Sequence, residues 1–537
     1  VNKLKTTLSK SIWPIVVVMS ISPFVAEATL TLASLAPSII ALSAGVLLHF
    51  FSGRKTQKVL DLASSHSMQV HTGGLFGPSL PGHADAVKTT VLKKGFDINL
   101  AGAAKEELQA ATVKTFALQP PNFRGIKPIP KMVVEIGASV KAGDPLFYDK
   151  EHPDILFVAP VSGEVIAVNR GDKRAISEVV ILADKEQQYR KFAVPSLSGT
   201  SQQDLHKFLQ QSGAWVLFRQ RPYDIIPEVG VMPRDIFVST FDTAPLAPNL
   251  DFVVRGRESA FERGIEVLSK LTTGKVYLGL DARQKEQPPA AFTKAKGSEA
   301  RWFHGKHPAG NVGVQIHHIK PIGAKDKVWT IGVQEVITLG TLFGEGRWDT
   351  TRVVALGGSE LSAPHYAKTN TGANIGDLLG ADASKEGVRF ISGDVLTGQQ
   401  KSPGNYLNFH DDQITAIKEG DYYEMFGWLI PGKRRASLSK TYSNYLFPAR
   451  QYVADTNTHG EPRAFVVTGQ YEDVLPMRIY PQHLLKAILA KDLELMEGLG
   501  IYEVIEEDLA LCEFVCTSKQ QVQKILRGGL DEMHAQG

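Results

Sequence analysis

The chain has 537 residues, 59 Lys and Arg against 56 Asp and Glu, a formal charge of +3, and two cysteines. That length exceeds what one hydrophobic core fills, so several domains are expected, and the near balance of charge leaves no basic footprint for a nucleic acid. Two thiols, Cys512 and Cys516, exclude a disulfide framework and a four-thiolate iron–sulfur cluster held by this chain alone.

Lys3, Lys5 and Lys10 precede an apolar run at 12–25, and Ala26-Glu27-Ala28 then supplies the pattern of a secretory signal. A second run at 30–51 carries no charge, is long enough to span a bilayer and is followed by Arg54, Lys55 and Lys58. Residues 1–60 therefore read either as a membrane hairpin, with the body on the cytoplasmic side, or as sequence upstream of a start at Met68, since Val1 is what a GTG codon yields when translated literally. Residues 61–90 form a linker, rich in glycine and proline at 72–82.

Residues 91–194 are expected to be all β. Short valine, isoleucine and phenylalanine runs alternate there with Gly-Asp, Gly-Glu and Pro-Gly punctuation, after strand-and-turn segments at 93–102 and 125–128. The stretch G-A-S-V-K-A-G-D-P-L at 137–146 and the stretch A-P-V-S-G-E-V at 159–165 resemble the two half-motifs of lipoyl- and biotin-carrier sandwiches. Asp149-Lys150 between them matches the pair whose lysine carries the lipoyl group in that family. The connection from Lys150 is longer than the carrier pattern, with His152-Pro153 inserted, so Lys150 reads either as an attachment site or as an unmodified lysine in water.

Residues 195–350 read as a Rossmann-like α/β domain. A helix is expected at 204–212, buried strands at 214–218 and 235–240, and a β-α-β unit from a strand at 252–254, a helix at 259–271 and a strand at 275–280. No G-x-G-x-x-G or P-loop opens these helices. The nearest thing is the glycine-rich loop 305–313, which is either plain turn chemistry or a cradle whose backbone amides meet an anion. His317 and His318, placed in a strand, would face opposite ways and share no metal.

Residues 351–400 form a second β module of strand, short helix and strand, with Gly357-Gly358 at its first turn; it resembles the soluble-ligand-binding β-grasp module of large respiratory subunits. Residues 401–480 are β-rich, with strands continuing over 406–428 and an exposed basic turn at 431–435 that is either solvated or meets acidic headgroups or an acidic partner. Residues 481–537 are helical, with apolar spacing at 483–496 and 519–533 and a helix opening at 505–509 on acids that suit its dipole. At i, i+4 on that helix, Cys512 and Cys516 share a face, which suits packing.

Six motifs stand in order: K-K-G-F-D at 93–97, L-F-Y-D-K-E-H-P at 146–153, P-V-S-G-E-V at 160–165, N-R-G-D-K-R at 169–174, H-P-A-G-N-V-G at 307–313 and E-E-D-L-A-L-C-E-F-V-C at 506–516. Together they resemble the A-subunit family of sodium-translocating NADH:quinone reductases, from about residue 91 to the C-terminus. The resemblance implies a multisubunit complex of the bacterial inner membrane that passes electrons from NADH through flavins (FAD, FMN) and iron–sulfur centres to ubiquinone while exporting Na+. It implies a cytoplasmic-face subunit, related to the electron-entry subunit of complex I, with the other subunits and quinone as partners. It implies no tightly bound redox group, catalytic residue or metal ligand of its own. The membrane-spanning extension at 1–60 departs from the family, whose members begin close to the K-K-G-F-D motif.

A quinone site needs an apolar cleft with one or two donors, assembled from distant segments. The candidates for an altered cofactor pocket are His307, Gly310, Asn311 and Gly313 in the glycine-rich loop and Gly357 and Gly358 in the β module. Two other readings compete with the pump-subunit reading: a lipoyl- or biotin-type carrier modified at Lys150, and a membrane-tethered regulator that binds a quinone or a nucleotide.

Overall fold

The computed structural model describes residues 80–126, 129–425, 438, 446–447 and 449–536, all within the unit Pro78–Gly537. The apolar runs at 12–25 and 30–51, Met68, the linker up to residue 79 and the basic turn at 431–435 lie outside the described residues.

Two short strands come first, and neither pairs with its sequence neighbours. β1 (Thr89–Val91) and β2 (Lys105–Ala110) each run parallel to a strand far along the chain. Between them residues 92–104, K-K-G-F-D included, form no strand and make one strand-like bridge, from Leu100 to Tyr452. The sandwich then follows as β3 (Thr115–Leu118), β4 (Lys131–Met132), β5 (Ser139–Val140), β6 (Pro145–Tyr148), β7 (Leu156–Val158), β8 (Gly163–Arg170) and β9 (Ile176–Ala183). Its sheets have the orders β3-β9-β8-β5 and β4-β6-β7. At the start of β8, Gly163 and Val165 are buried while Glu164 and Ile166 are exposed, the period of two that one buried face imposes. Phe147 stacks on Phe157 with centroids 4.8 Å apart, and Leu146, Val179 and Ile181 close the core. The glycine of P-V-S-G-E-V is required by a close approach, since a Cβ at Gly163 would stand 2.0 Å from the Leu182 carbonyl oxygen. Lys150 is exposed in the loop 149–155, which joins the paired residues Tyr148 and Leu156 over a buried Asp149.

The α/β layer contains α1 (Gln202–Ser212), β10 (Arg219–Arg221), β11 (Ile236–Ser239), α2 (Leu250–Val254), α3 (Glu258–Leu271), β12 (Val276–Asp281), α4 (Ala290–Thr293), β13 (Ser298–His304), α5 (Val312–Ile319), β14 (Val328–Thr330) and α6 (Val333–Glu345). The sheet order is β1-β13-β12-β11-β14-β10, parallel throughout except for β10 at the edge. Three expectations are corrected. The buried run at 214–218 is a 3-10 turn (Ala214–Leu217) entered from Gly213 at φ 80, and 252–254 belongs to α2, capped where the Asn249 side chain accepts from Asp251 N. Short apolar runs buried on all sides carry no period, so they look alike as strand or helix. The β-α-β unit is therefore β11-α3-β12. His317 and His318 lie on α5, where His317 Nδ1 meets Glu503 Oε2 at 2.6 Å and His318 Nε2 meets the Pro476 carbonyl at 2.7 Å.

The third layer holds β15 (Thr351–Gly357), β16 (His365–Asn370), α7 (Ile375–Leu379), β17 (Val388–Ser392), β18 (Gln399–Lys401) and β19 (Gln413–Lys418), in the order β18-β17-β19-β15-β16-β2. β15 and β19 are parallel neighbours at its centre, and β16 adds a strand that the expected strand–helix–strand pattern lacks. Of the strands expected over 406–428, the described residues contain β19. The C-terminal part comprises α8 (Gln470–Val474), α9 (Pro481–Ala490), α10 (Leu493–Gly498), α11 (Glu506–Val515) and α12 (Val522–Gln536). The run at 483–496 divides into two helices because Lys491 takes φ 58 and the Asp492 side chain accepts from Leu495 N to start α10. Leu484, Leu509 and Leu526 share one core with Leu92, Ile98 and Leu100, and Cys512 and Cys516 are buried in it. No helix among the described residues is long and apolar enough to cross a membrane.

α3 and α6 cross at two glycines. A Cβ at Gly340 would lie 1.7 Å from the Ala260 carbonyl oxygen, and one at Gly264 would lie 2.2 Å from that of Val336. Gly340→Ala should therefore cost about 2–3 kcal/mol in urea unfolding through overpacking; a midpoint unchanged from the parent would show that the helices do not pass this closely.

Candidate functional site

β11, β13 and β14 end on the same side of the parallel sheet, and α5 and α6 begin just beyond that edge, the place where open α/β sheets form ligand crevices. A cavity of about 700 Å3 opens there. Ser239 at the end of β11, Gly310 to Val312 at the start of α5, and Gly332 and Val333 at the start of α6 form its sheet side. The segment around β10, the loops flanking β18, and the first residues of α11 and α12 enclose it.

Three of the six motifs meet beside this cavity. Phe96 N donates to the His307 carbonyl at 2.9 Å, and His307 N donates to Asp97 Oδ1 at 2.9 Å. Gly95, at φ 125, makes that contact feasible, because a Cβ there would stand 2.5 Å from the His307 oxygen. His307 is buried, with Nδ1 3.1 Å from Thr243 Oγ1, and the same hydroxyl accepts from Gly310 N at 3.0 Å. Burial pushes the His307 imidazole down to about 4, so it is neutral at physiological pH. Asn311 Nδ2 donates to the Glu507 carbonyl at 2.9 Å, and the Asp508 carboxylate lies against Gly313, where a Cβ would meet it at 2.4 Å.

Of the sequence candidates, Gly310 and Asn311 reach the cavity wall, while His307 and Gly313 stand behind it. Gly357 and Gly358 line no part of it. Gly358 N donates to the Gly102 carbonyl at 2.8 Å, and a Cβ on Gly358 would lie 2.0 Å from the Ala416 oxygen, so this pair serves the close passage of three segments. Lys150 is on the sandwich loop, also outside the lining.

The residues that sequence reasoning missed are buried charges. Arg221, 2% exposed, donates from Nη1 to Asp508 Oδ2 at 3.1 Å and from Nη2 to Glu507 Oε1 at 2.7 Å. Arg124 joins Asp224 Oδ2 (2.6 Å) to Glu506 Oε1 (2.8 Å), and Arg527 grips Glu506 with Nε at 2.7 Å and Nη2 at 2.5 Å. Burial alone would raise the Asp224 carboxyl, but Arg219, Arg124, Arg221 and Arg527 outweigh it and hold Asp224 well below the usual carboxylate range. A second cluster centres on Arg352, bonded to Glu335 Oε1 at 2.6 Å and Asp412 Oδ1 at 2.5 Å, with His410 Nδ1 3.6 Å from Glu335. Burial pushes Asp412 up to about 7, whereas the Arg352 guanidinium and His410 carry Glu335 down past its own desolvation. The signals in the sequence were slight: Arg219 and Arg221 flank a glutamine after an apolar run, and Glu506-Glu507-Asp508 reads as ordinary first-turn acids.

Both helix starts at the cavity already hold a carboxylate of this chain. Asp508 covers the first turn of α5, and Glu335, the third residue of α6, folds back so that a Cβ on Gly332 would meet its Oε2 at 2.3 Å. Among the described residues no group of three His, Cys, Asp or Glu side chains could hold a metal ion. Burial pushes the Cys512 thiol far up, so it stays protonated.

Three family models match: the NqrA N-terminal barrel-sandwich hybrid domain over 90–184, the NqrA second alpha/beta domain over 200–348 and the NQRA C-terminal domain over 353–402. The chain is 37% identical over 451 residues to the A subunit of the Na(+)-translocating NADH-quinone reductase of Alcanivorax borkumensis, covering 83% of this chain and 99% of that protein. The corresponding A subunit of Yersinia pestis bv. Antiqua is 37% identical over 452 residues and that of Vibrio parahaemolyticus 36% over 450, with the same coverage. Among solved structures, a chain of the air-oxidized NAD+-reducing [NiFe]-hydrogenase aligns over 63% of this chain and 64% of its own at 13% identity, with a TM-score of 0.32 too low to bear on the fold.

Because Asp224 has a lowered folded-state pKa, its stabilisation is present above the unfolded carboxylate range, near pH 4, and is lost as pH falls below it. Asp224→Asn is expected to cost about 3 kcal/mol at pH 7, with the gap to the parent narrowing below about pH 4. Urea unfolding across a pH series measures it, and a gap that does not change with pH would refute the charge network as the cause.

Proposed function

The chain belongs to the A-subunit family of the Na(+)-translocating NADH-quinone reductase, and from that membership we propose that it is the A subunit of such a complex, which oxidises NADH, reduces a ubiquinone-type quinone and exports Na+. The observation that carries this reading is the match along 99% of the length of the named relatives. NADH, FAD or FMN, iron–sulfur centres and ubiquinone belong to the complex, and this chain contributes structure without chemistry of its own. The burial of Cys512 and Cys516 in a helical core supports a packing role for both thiols.

In this reading the body occupies the cytoplasmic face of the bacterial inner membrane, against the other subunits. The sandwich is of the lipoyl/biotinyl type over about 91–194 and the parallel layer Rossmann-like over 195–350. A β-grasp module follows at 351–400, a β-rich segment at 401–480 and a helical end at 481–537. Residues 1–60 are a membrane hairpin or lie upstream of the true start. Gly310 and Asn311, on the cavity wall with His307 and Gly313 behind them, mark an altered cofactor pocket. A quinone headgroup needs an apolar cleft, and the charge-lined cavity is a poor match, so a quinone-proximal role rests on a surface completed by another member of the complex. The carrier reading draws support from the exposure of Lys150 alone.

Purification through a C-terminal tag in mild detergent, with mass spectrometry of everything retained, should recover hydrophobic subunits and a flavoprotein that oxidises NADH. The intact chain should weigh what its sequence dictates, with Lys150 unmodified. A fully active, Na+-dependent complex lacking this chain would overturn the pump-subunit reading, and added mass at Lys150 would install the carrier reading in its place.

A further inference from the structure

We propose that the tip of the β8–β9 hairpin, with Arg170, Lys173 and Arg174, is a docking point for an acidic segment of another polypeptide in the complex. The presence of such a partner rests on the pump-subunit reading; the character of the surface rests on this chain alone.

β3 pairs with β9 only over Val179–Leu182, and β5 pairs with β8 only at Gly163 and Glu164. Beyond Val168 and Val179 the two strands therefore run on as a ribbon, paired with each other at Asn169 with Glu178 and at Arg170 with Ile176. The ribbon is held at its base: Ile176 is 1% exposed in the sandwich core, and Asn169 Nδ2 donates to Glu178 Oε1 at 2.7 Å. Cations carried on such a tip are fixed in place before a partner arrives, which lowers the ordering cost of docking.

The turn at the tip breaks a local rule. Ala175 N closes it on the Asp172 carbonyl at 3.0 Å, and both central residues have positive φ, Lys173 at 52 and Arg174 at 64. That is the mark of a type I′ turn, which favours Asn-Gly because a longer side chain on a left-handed backbone is strained. Two long cations stand there instead. Strain kept at a position where a better pair of residues exists points to a role outside the fold.

The charges are also unspent. Arg170, Lys173 and Arg174 are all exposed, and none of the three makes an ion pair among the described residues; Arg170 Nη1 donates to the Arg174 carbonyl at 3.1 Å. Across residues 170–174 three cations stand against one acid, Asp172. The tip, formed by the motif N-R-G-D-K-R, lines no part of the cavity.

The number and kind of these groups select the partner. Polybasic lipid-binding patches take about four to eight Lys and Arg, more than this tip holds. A nucleic acid needs a broad basic face, which a chain of formal charge +3 does not offer. Guanidinium forks meet carboxylates through paired hydrogen bonds and an ammonium adds a point charge, so a run of neighbouring Asp or Glu side chains on a partner segment matches cations crowded on one turn.

The complex, purified through a C-terminal tag in mild detergent, is treated with a carbodiimide, which joins an amine directly to a carboxylate. Mass spectrometry should find Lys173 linked to an Asp or Glu of another subunit. The paired substitution Lys173→Asn with Arg174→Gly supplies the residues the turn prefers, so the urea midpoint should equal or exceed the parent's. In salt of about 0.3 M the share of that subunit retained by the variant should nonetheless fall about tenfold. Links from Lys173 confined to this chain, or full retention of the subunit by the variant, would overturn the docking point while the pump-subunit reading stands. Phosphatidylglycerol vesicles that bind the parent and not the variant would overturn it in favour of a lipid surface. A chain that emerges with no other subunit would overturn both readings together.

Discussion

Arg221 sits at the edge strand of the parallel sheet, out of water, and its guanidinium is divided between Glu507 and Asp508 on the first turn of α11. A buried arginine is tolerable only when its charge and its N–H groups are met, and removing either partner would leave an uncompensated charge in low dielectric. The position of α11 is therefore tied to the position of β10. Arg124 and Arg527, both bonded to Glu506, extend the tie to the approach to the sandwich and to α12. The α/β layer, the sandwich and the helical end are thus joined by directional charge contacts as well as by shared apolar cores.

The same contacts shape what the sheet edge can do. By docking on β10, α11 carries Asp508 onto the start of α5, and α6 turns its own Glu335 onto its N-terminus. The two positive helix ends that make such an edge attractive to phosphate are met from within. The edge remains a cavity, with carboxylates of this chain already at both helix starts beside it.

The segment 89–110 performs a second kind of joining. β1 extends the parallel sheet beside β13, β2 extends the third sheet beside β16, and the stretch between them holds the glycine-rich loop through Phe96 and Asp97. A chain that contributes one strand to each of two sheets before entering its own sandwich makes those modules hard to separate. Three residues of K-K-G-F-D make that hold: Gly95 permits the approach to His307, Phe96 N bonds its carbonyl, and Asp97 accepts its amide.

Much of this was legible locally. The sandwich strands, α1, α3 and α11 follow from periodicity, from turn residues such as Gly163, and from caps such as the Ser201 hydroxyl that accepts from Asp204 N. The order of motifs was enough to name the family. Local pattern failed where apolar runs were short and buried on every side, as at 214–218 and 252–254, because burial without a solvent face erases the period that separates helix from strand. It failed also at Arg221, Asp224, Arg352 and Asp412, since an arginine bound for the interior reads in sequence like one bound for solvent until its partner is found. By itself, then, the sequence determined the kinship of the chain and its mixed α/β character, both carried by neighbouring residues. The tertiary structure alone decided that three distant motifs meet beside one cavity and that Asp508 closes the start of α5, because each of those outcomes pairs residues far apart in the chain.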